Sequence, residues 1–169
     1  MSRKRQRRKG RRVPQYLRAD PVRVAPGLPT ERDINVFDSL DELHAVKNFL
    51  GKTLEQAQAL FCENFLCYQE DLLFMGPKAF RFYVVAAINY LLSEEANDDP
   101  DAASSFCFLI EHRLEYEPTE IIPVGSIIRE GILGILNDFD RYGCCEIYGD
   151  VAERYRNLLS RLDACPREI

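Results

Sequence analysis

DLLFMGPKAFRFYVVAAINYLL, residues 71 to 92, decides the fold of this chain. Gly76-Pro77 marks a helix start, because proline at the first helical position gives up an N–H that has no partner there and its φ already suits a helix. Ala79, Tyr83, Ala87 and Leu91 then form one i, i+4 row, Phe80, Val84, Ile88 and Leu92 form the next, and Phe82, Val85 and Ala86 widen the apolar stripe almost to a full circle. A helix with so little polar circumference must be covered on most sides. The sequence therefore predicts a central buried helix over about 77–95, with the other elements packed around it.

Upstream, Ser39-Leu40-Asp41-Glu42 has the capping-box pattern, and Leu40, Leu43, Val46, Phe49 and Leu50 follow at helical spacing until Gly51. Thr53-Leu54-Glu55-Gln56 repeats the box, with Leu54, Ala57, Leu60 and Phe61 as the apolar side of a second helix ending near Glu63. Residues 64–75 are too apolar for a solvated loop yet carry no clean period, which predicts an irregular or one-turn segment under the central helix. Downstream, Asp99-Pro100 opens a helix whose buried face is Ala102, Ala103, Phe106, Cys107, Leu109, Ile110 and Leu114, stopped by Pro118. Pro123 opens a fifth helix with Val124, Ile127, Ile128, Ile132, Ile135, Leu136 and Phe139 inward and Gly143 at its stop. Gly131 and Gly134 lower its propensity, so a close neighbouring helix is expected there. Tyr148, Val151, Tyr155, Leu158 and Leu162 mark the last helix, with Arg154, Arg156 and Arg161 largely outside the stripe. No strand pattern or internal repeat competes. The fold class is all-α, a compact single domain of five or six helices.

The chain has 169 residues, 46% of them hydrophobic, enough for one substantial core. Its net charge of -5 conceals an asymmetry, since residues 1–12 hold eight cations and no acid, leaving 14 basic and 27 acidic residues in the remainder. Such a tail buries nothing, and Pro14, Pro21, Pro26 and Pro29 favour extended chain after it. Residues 1–30 are thus expected to be a disordered basic tail, in which Tyr16, Leu17 and Val22 can still lie against the domain, and residues 31–169 the all-α domain, with its start near Asp33. The acidic body does not suit nucleic acid or anionic membrane. Any such contact falls to Arg3, Lys4, Arg5, Arg7, Arg8, Lys9, Arg11 and Arg12. Arg81 and Asn89 interrupt the most apolar run, so no membrane span is expected. An excess of Arg over Lys, 17 to 5, points to a GC-rich bacterial genome. Six cysteines set mostly among apolar positions, with no apolar signal segment, suit packing in the reducing cytoplasm.

No chemical motif is complete. Leu50-Gly51-Lys52-Thr53 ends like a phosphate-binding loop, but Val46 stands where the first glycine is needed. Asn97-Asp98-Asp99-Pro100-Asp101 is oxygen-rich, but Ala102 and Phe108 replace the turn glycine and final glutamate of a calcium loop. Cys62, Cys67, Cys144 and Cys145 lack the usual zinc spacings, and neither His44 nor His112 comes with a nucleophile signature. Neither metal nor cofactor is expected, and no catalytic residue is assigned. Arg81 lies between apolar rows, and a buried guanidinium needs a partner, so a structural ion pair with Glu70 or Asp71 is expected.

Residues 50–95, through Met75-Gly76-Pro77-Lys78-Ala79-Phe80-Arg81-Phe82-Tyr83, together with Tyr142-Gly143 and Tyr148-Gly149-Asp150-Val151, resemble a group of small bacterial helical proteins without an assigned activity. That group's pattern often has Leu-Pro after the tyrosine, where Val84-Val85 stand here, which implies a straighter central helix. The Phe-Arg-Phe-Tyr wording is also distantly similar to proteins of bacterial toxin-immunity loci, and the similarity implies a protein-binding role. The functional expectation is a non-enzymatic protein that binds another protein through its acidic helical body. Nucleic-acid association through the basic tail is the alternative, and an enzyme without a recognisable motif is the second.

Overall fold

The computed structural model describes residues 27–143 and 148–164. Residues 1–26, which carry most of the expected disordered tail and all eight of its cations, lie outside the described residues, as do Cys144, Cys145 and Cys165. Among the described residues the chain is helical without strands. The elements are α1 (Glu31–Ile34), α2 (Leu40–Phe49), α3 (Leu54–Phe74), α4 (Pro77–Leu92), α5 (Pro100–Tyr116), α6 (Pro118–Ile121), α7 (Gly125–Asn137) and α8 (Val151–Ala164). α1 and α6 are single turns, and the other six match the expected helical domain.

α4 is the centre. Ala79, Phe80, Tyr83, Val84, Ala87 and Leu91 are fully covered, by α3, α1, α7 and α5 on different sides. Gly76 is its N-cap and Pro77 its first residue, as the sequence predicts, but it stops at Leu92 and not near 95. The Ser93 hydroxyl donates to the Tyr90 carbonyl at 2.7 Å there, and a single 3₁₀ turn, Glu94–Ala96, follows. Both capping boxes form, at Ser39 and at Thr53, and the Asp99 carboxylate accepts from the Ala102 N–H at 2.9 Å to start α5. A third box, at Thr30-Glu31-Arg32-Asp33, starts α1.

Residues 64–75 correct the sequence reading. They continue α3 as helix after a break at Asn64 (φ -162, ψ 92), whose side-chain oxygen accepts from the Cys67 N–H at 3.1 Å and restarts the turn. The period is hidden because the burial is inverted: Gln69 and Asp71 point inward while Leu66 and Phe74 are exposed. The expected fifth helix, opened at Pro123, also divides, into a 3₁₀ turn over Ile122–Val124, α7, and a second 3₁₀ turn over Phe139–Tyr142. Leu40 and Ile127, both assigned inward from spacing, are 66% and 43% exposed.

The glycines of α7 are explained by α4. A Cβ on Gly131 would lie 2.8 Å from Cγ2 of Ile88, and one on Gly134 would lie 2.7 Å from Cδ2 of Leu92. The two neighbours differ in freedom. Ile88 is 4% exposed and branched at Cβ, so it has nowhere to turn, whereas Leu92 is 42% exposed and can swing into solvent. Gly131→Ala is therefore expected to lower the melting temperature, because overpacking of about 1–3 kcal/mol exceeds the helix-propensity gain of about 1 kcal/mol. Gly134→Ala is expected to hold or raise it. Thermal unfolding of the two variants checks the contrast.

Candidate functional site

Arg81, the polar residue singled out on α4, does not pair with Glu70 or Asp71. Its guanidinium donates to Glu120 of α6 at 2.8 Å, and both side chains remain about a third exposed. Glu70 is exposed, and Asp71 faces α2 instead. Sequence proximity misled here because α3 turns these two acids away from α4. Among the described residues the buried guanidinium is that of Arg113, on the otherwise apolar inner face of α5.

Arg113 joins the ends of α3 and α5. Its Nη2 donates to the carbonyls of Leu72 at 2.8 Å and Met75 at 2.7 Å, and its Nη1 to the Glu117 carboxylate. The guanidinium lies over the Phe80 ring, 4.5 Å from the centroid. Leu72 needs this donor, since the N–H of Gly76, four residues on, turns away to the Ile34 carbonyl at 2.8 Å. Gly76 is confined for the same reason: a Cβ there would fall 2.5 Å from both the Asp33 carbonyl oxygen and Cγ2 of Val36. The Met75-Gly76-Pro77 turn is thereby clamped between α1 and α5.

Over this turn opens a groove of about 320 Å³, lined by Val36, Phe37, Phe74, Met75, Gly76, Pro77, Arg113, Tyr116, Glu117 and Glu120 among others. Its near lip, residues 35–39, is held from inside by Glu42. The carboxylate of Glu42 accepts from the N–H groups of Val36 at 2.8 Å, Phe37 at 3.0 Å and Ser39 at 3.0 Å. Burial opposes the charge on Glu42, but these backbone donors outweigh it and hold the carboxyl below its ordinary range. Asp38 takes φ +58 and gives its N–H to the Asn35 side chain at 2.9 Å, completing the turn. The loop so held turns Phe37 outward, 83% exposed, with Val36 at 49% beside it. On the far wall Tyr116 is 67% exposed, its ring 4.6 Å from that of His112, which in turn faces Phe108 at 6.0 Å. Phe74 closes the apolar rim. None of these rim residues was singled out from sequence; the inverted burial of 64–75 was the one trace.

A larger hollow, about 690 Å³, lies beside Tyr142 and Tyr148, which precede and follow residues 144–147, and these lie outside the described residues. Burial, with Glu111 alongside, pushes the Cys107 thiol up to about 12, so it is no nucleophile near neutral pH. Cys62 and Cys67 are exposed free thiols on α3. Among the described residues no group of three or more His, Cys, Asp and Glu is placed to hold a metal ion, and no helix is long and apolar enough to cross a membrane.

Asp71 is 3% exposed and accepts from Asn48 at 2.7 Å, with Nδ1 of His44 at 2.9 Å from its other oxygen. Burial raises its pKa above 3.8, and the hydrogen bonds from Asn48 and His44 offset only part of that. A carboxyl with a raised folded pKa stabilises the fold while protonated, and that contribution is lost as pH rises from the unfolded value through the folded one. Asp71→Asn, which keeps an acceptor for Asn48 and offers a donor to His44, is expected to melt at or above wild type at neutral pH, with the difference shrinking below about pH 4. Thermal unfolding across pH checks it. Arg113→Met is expected to cost about 2–5 kcal/mol, because two buried carbonyls lose their donor. Arg81→Met should cost less than about 1 kcal/mol, as for a half-exposed pair. Denaturant unfolding separates the two.

No protein-family model matches this chain, and no curated protein and no solved structure matches it either.

Proposed function

We propose that this chain is a non-enzymatic binding protein that takes a segment of another protein into the groove between the 35–39 loop and the end of α5. Phe37 carries the reading. A phenylalanine left in water forgoes about 2 kcal/mol of burial. Here it is 83% exposed on a loop pinned by three backbone donors to one buried carboxylate, so a stiff support holds it in solvent. Val36, Phe74 and Tyr116 surround the same hollow, and an apolar patch with a polar rim marks an interaction surface. Aromatic anchors whose positions are set in advance supply most of the energy of such contacts.

The partner's sign follows from the body. With 12 basic and 26 acidic residues in 31–169, the domain draws a cationic protein toward it, and added salt slows the encounter. An immunity-like role, in which a small acidic protein covers a cationic one, is a form of this reading.

Phe37→Ser and Tyr116→Ser remove exposed side chains, so each is expected to change stability by no more than about 0.5 kcal/mol. With wild type and both variants immobilised, proteins retained from lysate at low salt by wild type should be lost from the variants and released as salt rises. Identical retention by all three chains would overturn the reading.

A further inference from the structure

The apolar surface continues past the groove. Beyond Val36, Phe37 and Leu40 of the lip, the exposed large apolar side chains among the described residues fall in two places: Leu92, Ile127 and Leu133 on α4 and α7, and Leu66, Phe74, Phe108 and Tyr116 on α3 and α5. The second set is ordered. α3 and α5 run side by side in the same direction, since residues 61–66 border one hollow with Asp99 and Asp101 at the start of α5, and Leu72 and Met75 meet Arg113 near its end. Leu66 and Phe74 stand eight residues apart on α3, and Phe108 and Tyr116 stand eight apart on α5. His112 fills the interval on α5, its ring 6.0 Å from Phe108 and 4.6 Å from Tyr116. Eight residues of helix advance about 12 Å. The seam of α3 and α5 thus carries two apolar rows of matched length, and one end of it is the groove, which Phe74 and Tyr116 line.

Two such rows on neighbouring helices fit a third helix laid along them, whose own anchors recur at i, i+3 or i+4, and i+7. An added strand has no sheet edge to pair with among the described residues. Charge sets the flanks of the incoming helix. Inside the groove Glu117 and Glu120 are already paired, with Arg113 and Arg81. Beside the seam, Glu63 and Glu70 on α3 and Glu115 on α5 are exposed, and none of them has a cationic partner among the described residues. A second copy of the domain would bring these three carboxylates against their equals. A helix with Lys or Arg on either side of its apolar stripe matches them.

From these observations we infer that the seam of α3 and α5 docks a basic amphipathic helix of the partner protein, its apolar stripe on Leu66, Phe74, Phe108 and Tyr116 and its cations beside Glu63, Glu70 and Glu115. The inference rests on the groove being a docking site, as proposed above, and names the form and charge of the segment that enters it.

The test uses the full chain and synthetic peptides of about 18 residues, five turns of helix. One has Leu at helical spacing and Lys elsewhere, one has the same residues scrambled so that no stripe forms, and one has the striped order broken by central prolines. Fluorescence anisotropy is expected to show binding of the intact striped peptide alone, with a rise in helical circular dichroism on mixing. Leu66→Ser and Phe108→Ser, both outside the groove, are each expected to weaken that binding at least about tenfold, as for a buried anchor. Glu63→Gln, Glu70→Gln and Glu115→Gln combined are expected to weaken it at low salt and to flatten its salt dependence. Equal binding of the scrambled or broken peptide, no binding of the striped one, or an affinity untouched by Leu66→Ser and Phe108→Ser overturns the inference. If that untouched affinity is nevertheless lost with Phe37→Ser, the groove keeps its role and only the helix along the seam falls. Conversely, binding lost with Leu66→Ser and Phe108→Ser but kept with Phe37→Ser leaves the seam as the docking site and removes the groove.

Discussion

The structure depends on how its helix ends are closed. An α-helix leaves its last carbonyls without intrahelical donors, and a helix that ends inside a packed domain cannot leave them to water. Here several of the donors come from elements far along the chain. The Tyr83 hydroxyl of α4 donates to the Phe49 carbonyl at the end of α2 at 2.6 Å, and Arg113 of α5 closes α3. The Tyr142 hydroxyl closes α4 through the Leu91 carbonyl at 2.5 Å, with Arg141 on the carbonyl of Ser93. Burial pushes the phenols of Tyr83 and Tyr142 up to about 12, so both stay protonated and able to donate. Each bond joins the end of one helix to a residue 31 or more positions away, which makes helix length and tertiary packing one problem.

The same rule gives the groove its stiffness. Closing α3 with Arg113 requires α5 to end beside the Met75-Gly76-Pro77 turn, and the missing Cβ of Gly76 lets α1 approach that turn from the other side. Between them the 35–39 loop has no room to collapse inward, and Glu42 spends its carboxylate on the loop's N–H groups. Val36 and Phe37 are turned out as a consequence. A loop that exposed a phenylalanine through disorder would pay its ordering entropy on binding, whereas this one has already done so on folding.

Much of this was written locally. Proline starts, capping boxes at Ser39 and Thr53, and the apolar circumference of α4 are properties of a few neighbouring residues, so the all-α class, the central helix and the close approach at Gly131 and Gly134 follow from spacing alone. The continuity of α3 did not. Its second half buries Gln69 and Asp71 and exposes Leu66 and Phe74, and periodicity assumes the opposite partition.

By itself the sequence determined where helices begin, which of their faces are apolar, and that the charge divides between a basic leader and an acidic body. Tertiary structure alone decided the pairings of the buried and half-buried charges. Arg81 found Glu120, 39 residues away, Asp71 found His44 and Asn48 across the α2–α3 hairpin, and Arg113 took the carbonyls of α3. It also decided which apolar residues stay in water. Both outcomes have one physical reason: a side chain's partner depends on which helix face the packing turns toward it, and that rotation is set by contacts between residues far apart in the chain.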